Sequence, residues 1–418
     1  MKQIFSNHSR IAAFFLTALL IRVLYALLFP VESVKGDAFE YDTIAVNLIS
    51  GGGFSMDPGV PTPIRAPGYP VFLAAVYLIF KHSYLIAVMV QALAGAFTCL
   101  IVWDLSRRLF DEKISLLSGW FCALYPVFIS YSGLLLSETL FTLLFAASLN
   151  LLVRFITCRR LLWLALSGAT LGFTTLTRAT TILFPLAVFL ALMVVDWRQA
   201  FKQTCLFLAV FFLVIAPWMV RNYRSFGVFM PVATGGSTCL FATGRMAEGS
   251  SYEQGMSEIP GKWEEFKNSR NFSRGKNPHV EFDRELKKEG INKIKKNFPG
   301  YIVVVLKRIP KYWISSHSSV FGVDKSLGEY YSRKDYFPIF FRIGLLFFHG
   351  VVFVFMVLGM VYAGGSFKKW AILLLVFFYF NMHILFDLCP RFFVPIFPYI
   401  FIFSAVTALK FHNRLRSR

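Results

Sequence analysis

The side chains best equipped for chemistry in this chain are Asp37 and Glu138, together with Arg65, Arg178, Arg221, Arg224 and Arg391. They come from distant stretches, yet each lies at or near the end of an apolar run. A carboxylate can act as a general base toward a hydroxyl, or orient it. Arginine binds phosphate through a planar fork that lysine lacks. Carboxylates and arginines sharing one depth suit a reaction on an anionic substrate at an interface, because the arginines can stabilise charge that develops on a leaving phosphate.

Each of these residues also has a plainer reading. Asp37 and Glu40 form Asp-x-x-Glu, a capping-box pattern, so Asp37 could do no more than start a helix. Ala38, Tyr41, Ile44, Ala45 and Leu48 would be that helix's apolar face, ended by Gly51, Gly52 and Gly53. Glu138 could simply stabilise the positive N-terminus of a span, and Arg178 and Arg391 could be anchors that snorkel to headgroups. His383 and Asp387, one helical turn apart, could be an acid–base pair or a structural hydrogen bond. His317, in Ser-Ser-His-Ser-Ser, carries no specific signal. Cys99, Cys122, Cys158 and Cys205 fall in or beside apolar runs as packing residues. Cys239 and Cys389 share the face of the carboxylates and could form a disulfide. No Cys-x-x-Cys pair or His–Cys cluster marks a zinc site.

The elements that must hold these residues are membrane spans. Of the 418 residues, 56% are hydrophobic, 48 are Phe and only 16% are charged, where a soluble domain carries about a quarter. Such a chain cannot bury its apolar side chains in one aqueous core, so the bilayer is its solvent. The net charge of +20 does not mark a nucleic-acid binder, because much of the excess sits in short segments between apolar runs. About ten spans are expected, at roughly 11–30, 84–103, 114–131, 138–154, 161–177, 180–196, 203–220, 337–362, 370–387 and 391–410. Ile11–Phe29 follows a basic start but is too long for a signal peptide and lacks a small-residue cleavage site, so it is retained as a span. Pro70–Phe80 is short and reads as interfacial or re-entrant.

Lys and Arg set the orientation. Lys2 and Arg10, then Arg107, Arg108 and Lys113, then Arg154, Arg159 and Arg160, then Arg198 and Lys202, then Lys368 and Lys369, and the tail residues Lys410, Arg414, Arg416 and Arg418 fall on one side. Arg178 and Arg391 are the main basic residues in the short connections on the other. Both termini are therefore expected in the cytoplasm and the long loop outside. The reading is an all-α integral membrane protein in three parts. Residues 1–220 form a membrane module with a first outer loop at 31–83, 221–336 form the long external loop, and 337–418 carry the last three spans and a basic tail. The long loop turns helical at Glu281–Asn297, and Tyr301–Ile314 reads as an amphipathic helix along the membrane surface.

In this order the motifs resemble a family. Gly36-Asp37-Ala38-Phe39-Glu40-Tyr41 is followed by Ala45-Val46-Asn47-Leu48, Gly51-Gly52-Gly53-Phe54 and Arg65-Ala66-Pro67-Gly68-Tyr69-Pro70. Then come Leu136-Ser137-Glu138-Thr139-Leu140, Leu176-Thr177-Arg178-Ala179, Ala216-Pro217-Trp218-Met219-Val220-Arg221-Asn222-Tyr223 with Phe226-Gly227, and Arg391-Phe392-Phe393-Val394-Pro395. Together they look like the bacterial GT-C membrane glycosyltransferases, the group of the protein O-mannosyltransferases and the lipid A aminoarabinose transferase. The chain departs in having Phe392 where relatives often have Tyr. It also has Arg245-Met246-Ala247 after Gly244, where a turn containing Asn is expected.

The resemblance implies a GT-C-like fold with interfacial helices in both outer loops. It implies an inverting enzyme that moves a sugar from a polyprenyl-phosphate donor to a lipid, glycan or protein acceptor, at the outer face of a bacterial inner membrane. Asp37 and Glu138 would be catalytic, and Arg65, Tyr69, Arg178, Arg221 and Arg391 would bind substrate. No nucleotide sugar is needed, in keeping with the lack of a Rossmann-type Gly pattern. No metal or other cofactor is required, although two carboxylates could share one divalent cation. A transporter or flippase of an anionic lipid-linked substrate is the alternative, but it would place ionisable groups at mid-span. A scaffold binding a partner through its long loop gives no reason for aligned arginines and carboxylates.

Overall fold

The computed structural model describes residues 2–269, 277–364, 367–386 and 390–416. Helices follow one another as α1 (Lys2–Leu28), α2 (Asp37–Ile49), α3 (Gly68–Phe80), α4 (Tyr84–Leu109), α5 (Glu112–Leu124), α6 (Pro126–Ser132), α7 (Glu138–Cys158), α8 (Leu161–Thr177) and α9 (Phe184–Phe226). The long loop carries α10 (Gly236–Ala247), α11 (Tyr252–Ser257), α12 (Ile259–Ser269), α13 (Pro278–Lys296), α14 (Phe298–Trp313) and α15 (Leu327–Ser332). The chain closes with α16 (Phe337–Tyr362), α17 (Phe367–Asn381) and α18 (Phe397–Arg416). The described residues contain no strand, only an antiparallel bridge between Ser55 and Pro61. The pair His383–Asp387 and the disulfide Cys239–Cys389 each involve a residue outside the described ones.

Among the described residues six helical segments are long and apolar enough to cross a membrane, and seven if α5 and α6, bent by 58°, form one span. This is fewer than the ten spans expected, for definable reasons. α8, with 17 residues, and the segment Trp370–Leu385 fall short of the crossing length on their own. The two spans expected at 180–196 and 203–220 are merged into one 48-residue segment, Ala179–Phe226, which kinks at Asp196, where the backbone leaves helical geometry.

An ionisable group also lies inside the bundle, away from the span ends that hold the candidate site residues. Arg22, in the first span, is 1% exposed. Its guanidinium donates to the carbonyls of Ala18, Cys122 and Ala123 at 3.0, 3.2 and 3.2 Å. The last two belong to the final turn of α5, where the break before Pro126 leaves carbonyls without helical partners. In hydrocarbon such groups must be satisfied internally, and Arg22 does this from a neighbouring helix. Gly95 makes room for it, since a Cβ there would lie 2.8 Å from the Arg22 Nε.

The long loop is more helical than its Gly content suggested. α11 begins at a full capping box formed by Ser251 and Gln254. α10 runs helically through Gly244-Arg245-Met246, so the expected Asn-type turn is absent. Arg245 instead pairs with Glu258 at 2.7 Å and Glu248 at 3.0 Å. α14 is amphipathic as expected. Val304, Arg308 and Tyr312 are buried, while Phe298, Ile302, Val303, Leu306 and Ile309 are exposed along its other side.

Candidate active site

Asp37 is the first residue of α2, but it is not the cap. The N-cap is Gly36, at φ 55°, and no side chain caps the helix. The capping-box reading is therefore corrected: Asp37 turns its carboxylate away from the helix end and into an ion cluster. One oxygen accepts from Arg65 and the other from Arg391. Arg65 also donates from Nε to Glu40 at 2.5 Å and lies over the Tyr41 ring. Burial alone would raise the Asp37 carboxyl, but Arg391 and Arg65 outweigh it and hold the group below its ordinary value.

Glu138 opens α7 and is 1% exposed. Its Oε1 accepts from Arg178 at 2.5 Å and lies 3.7 Å from the Arg391 Nε. Its Oε2 is buried with no hydrogen-bond partner among the described residues. Glu138 therefore stands behind the arginines rather than in the open, and its helix-terminus role coexists with an ion pair. Arg178 follows the last residue of α8, where the backbone turns extended, and its guanidinium stacks 4.7 Å from the Phe392 ring. Arg391 projects from a 3-10 turn at Pro390–Ile396, in which Phe393, Val394 and Ile396 are fully buried. Those three anchors fix the turn and leave Arg391 to reach across. One close approach holds the two halves together: a Cβ on Gly68 would fall 2.6 Å from the Thr177 hydroxyl. The start of α3, just after Arg65, can thus lie against the end of α8, just before Arg178.

The cluster walls a cavity of about 1150 Å³ whose lining includes Asp37, Glu40, Arg65, Arg178, Lys311, Arg342 and Arg391. Threonines and residues of the long loop complete it, among them Thr177, Thr180, Thr234, Thr238, Tyr252 and Glu253. Lys311 and Arg342 were missed in the sequence, where α14 and α16 read as surface and span and no spacing linked them to the carboxylates.

Two of the expected substrate residues do not reach the cavity. Tyr69 is fully buried behind Tyr41, with its hydroxyl donated to Gln91 at 2.7 Å. Its packing supports α2 from beneath. Arg221 donates to the carbonyls of Thr62 and Phe54 at 3.2 and 3.1 Å and stacks on Trp218 and Phe54. It ties the first loop to the end of α9. Arg65, Arg178 and Arg391 do line the cavity.

The notion of a shared divalent cation meets these same contacts. Both Asp37 oxygens and one Glu138 oxygen are already taken by guanidinium groups, and three arginines balance Asp37, Glu40 and Glu138. A cation here would have to displace an arginine and then face the others, so these residues as arranged do not fit a metal. Among the described residues no group of three or more His, Cys, Asp or Glu is placed to hold one.

Residues 64–220 match the family model described as dolichyl-phosphate-mannose-protein mannosyltransferase. No protein of curated function matches the chain. In fold, the chain resembles the archaeal oligosaccharyltransferase AglB of Archaeoglobus fulgidus solved with an inhibitory peptide and a dolichol-phosphate. The TM-score is 0.56 at 14% identity, over 97% of this chain and 50% of that one. A second structure of the Archaeoglobus fulgidus oligosaccharyltransferase, with Zn and sulfate, gives 0.55 at 15% identity over 96% and 49%. ArnT from Cupriavidus metallidurans bound to undecaprenyl phosphate gives 0.46 at 15% identity over 95% and 77%, too loose to argue from. The chain spans about half the length of the archaeal enzymes it matches. The resemblance read from the motifs agrees with both findings: the fold is like that of the archaeal oligosaccharyltransferase, and the segment matched by the mannosyltransferase family model contains Arg65, Glu138 and Arg178.

Proposed function

We propose that this multi-pass chain, with its GT-C fold and mannosyltransferase-like segment, is a glycosyltransferase. It takes a sugar from a polyprenyl-phosphate donor and passes it to a hydroxyl-bearing acceptor at the outer face of a bacterial inner membrane. The observation that carries this reading is the Asp37–Arg65–Arg391 cluster beside Glu138–Arg178 on one wall of a large cavity. A lipid phosphate bound in the archaeal neighbour of the same fold supports it.

The donor lipid stays in the bilayer and its sugar-phosphate enters the cavity. Arg391 and Arg65 then have two anions to choose between, the phosphate and Asp37. A guanidinium that turns its fork to the phosphate leaves an Asp37 oxygen open, and the carboxylate regains basicity as its cation departs. Asp37 then accepts the proton of the acceptor hydroxyl while the hydroxyl oxygen bonds to the anomeric carbon. The bond from that carbon to the phosphate oxygen breaks, and polyprenyl phosphate leaves with its new charge held by the arginines. Direct attack inverts the anomeric centre. Glu138 holds Arg178 and steadies Arg391 during the exchange.

The test is to supply purified protein with a panel of polyprenyl-phosphate sugars and follow release of polyprenyl phosphate together with formation of a new glycoside. Turnover with at least one donor, lost in Asp37→Asn, is expected. Release with none of them by folded protein would overturn the reading.

A further inference from the structure

Most charged side chains that line the larger cavity neutralise one another. Asp37 pairs with Arg65 and Arg391, Glu40 with Arg65, and Arg178 with Glu138 behind the wall. Lys311, Arg342 and Glu253 also line it, and none of the three has an ion pair among the described residues. Lys311 is exposed and makes no hydrogen bond there either. Arg342 donates to the Ser318 hydroxyl at 3.0 Å and the Val323 carbonyl at 2.8 Å. Both acceptors are neutral, so they fix the guanidinium without cancelling its charge. They belong to the segment that follows α14, and the last turn of α14 carries Lys311. Two cations against the single carboxylate of Glu253 leave a positive charge unmatched.

The helices that carry these two cations present apolar surface on their outer sides. α16 is long and apolar enough to cross a membrane, and its Phe340, Ile343 and Phe347 are exposed. On α14, Leu306 and Ile309 are exposed. Ile314, just past α14, and Leu346 on α16 line the cavity itself. A lipid tail lying against α14 and α16 therefore has its head beside Lys311 and Arg342.

We propose that Lys311 and Arg342 form a landing site for the phosphate of the lipid donor, occupied before Arg391 and Arg65 let go of Asp37. The inference rests on the polyprenyl-phosphate reading and deepens it. Drawing an arginine away from Asp37 breaks a charge-assisted hydrogen bond, whereas a cation with no carboxylate partner has none to break. The phosphate thus meets Lys311 and Arg342 at lower cost. Lysine suits this step, as a point charge with rotatable donors on a flexible stem, and the planar forks of Arg391 and Arg65 suit the oriented complex that follows. Arg342 and Arg391 border this cavity and also a smaller one of about 520 Å³ beside it, so a phosphate on Arg342 reaches Arg391 through open space. The plainer role for Lys311 is an anchor to headgroups. Lys307, one turn earlier on α14, separates the two roles: it is equally basic and exposed but lines neither cavity. Anchoring would draw on both lysines alike, and a landing site on Lys311 alone.

The experiment measures binding of polyprenyl phosphate, without a sugar, to the full chain in discs of phosphatidylcholine, with polyprenol as the phosphate-free control. Lys311→Gln is expected to raise the polyprenyl phosphate Kd about ten-fold, the loss of roughly one charge-assisted bond. Lys311→Arg, which keeps the charge, and Lys307→Gln, which lies off the cavity, should each stay within about three-fold of wild type. Arg342→Gln should weaken binding as well. Should it fail to fold for want of its bonds to Ser318 and Val323, the exposed and unbonded Lys311 decides alone. Polyprenol should bind every variant alike. Wild-type affinity in Lys311→Gln, or an equal loss in Lys307→Gln, overturns the landing site. A wild type that binds polyprenyl phosphate no better than polyprenol overturns it together with the lipid-phosphate reading. Binding that depends on Lys311 in a protein that turns over no donor supports the site and overturns the transfer reading alone.

Discussion

Two arginine–carboxylate clusters sit at opposite ends of α7, about 24 Å apart at 1.5 Å per residue from Glu138 to Arg154. At the far end, Asp104 takes Arg108 at 3.1 Å, Arg154 at 2.7 Å and Asn150 at 2.9 Å. Arg108 lies one turn along the same helix as Asp104, and the other two come from the adjacent α7. None of them lines either cavity. At the near end, Asp37, Arg65, Glu138, Arg178 and Arg391 come from five separate stretches. The Asp37–Arg391 pair bridges 354 positions of sequence, and four of the five line the larger cavity. The chemistry is alike, a carboxylate saturated by guanidinium groups. The difference is the cavity: the Asp104 cluster joins two adjacent helices and lines neither cavity, whereas the open cluster at Asp37 walls the larger one, where it is proposed to trade a guanidinium for an incoming phosphate.

The sharpest way to break this contrast is sidedness. A cysteine at Ser257 should be labelled by a membrane-impermeant thiol reagent applied from outside, and one at Asn413 should be spared until the membrane is permeabilised. The reverse pattern would put the open cluster on the cytoplasmic face and remove the lipid-phosphate chemistry proposed for it.

Next in size is a matched pair of substitutions. Asp37→Asn should cost roughly 10²- to 10⁴-fold in transfer, the usual contribution of a general base, while expression stays near wild type. Asp104→Asn also strands two arginines, so its melting temperature falls too, but the turnover of molecules that remain folded is kept. Equal losses of turnover in both variants would mean that the two clusters do not differ in function.

Arg391→Lys sharpens the comparison further, because it keeps the charge and loses the fork. Transfer or donor affinity should drop about ten- to hundred-fold, from a lost charge-assisted bond worth about 1.5–3 kcal/mol. Binding of polyprenyl phosphate without a sugar should weaken in parallel. Normal binding of that lipid by both Arg391→Lys and Arg391→Ala would return Arg391 to a structural role.

The smallest effect concerns pH. Arg391 and Arg65 hold the Asp37 carboxyl below its ordinary 3.8. The stability gained from their bonds is therefore fully present above 3.8 and is lost as pH falls through the lowered value. The melting-temperature gap between wild type and Asp37→Asn should be flat across neutral pH and close only below 3.8. A gap that closes near neutrality would show that Asp37 is not held by those two arginines.

Much of this molecule was legible in its sequence because the bilayer makes simple demands. Apolar runs near the crossing length gave the all-helical membrane class. Basic residues between the runs gave an orientation that the labelling experiment can test. Asp37, Arg65, Arg178 and Arg391 stood out because charge beside an apolar run needs a reason. Span length was harder to read, since α8 and Trp370–Leu385 are too short alone and one kinked helix runs on through the charged break at Asp196, Arg198 and Lys202 that separates two apolar runs. Arg22 escaped notice because its partners are backbone carbonyls of another helix, which no residue pattern announces.

Composition and periodicity determined that the chain is helical, apolar and polarised along the spans, since these follow from local side-chain chemistry. Tertiary structure decided which of the flagged residues face a common space. Tyr69 and Arg221 carry motif positions as persuasive as Arg65, yet one packs under α2 and the other fastens a loop. His317, which carried no signal in the sequence, is left with a buried, unpartnered nitrogen only because Tyr131, His349 and Phe397 close around it. A side chain's accessibility depends on which distant segments pack around it, and the local sequence does not contain that information.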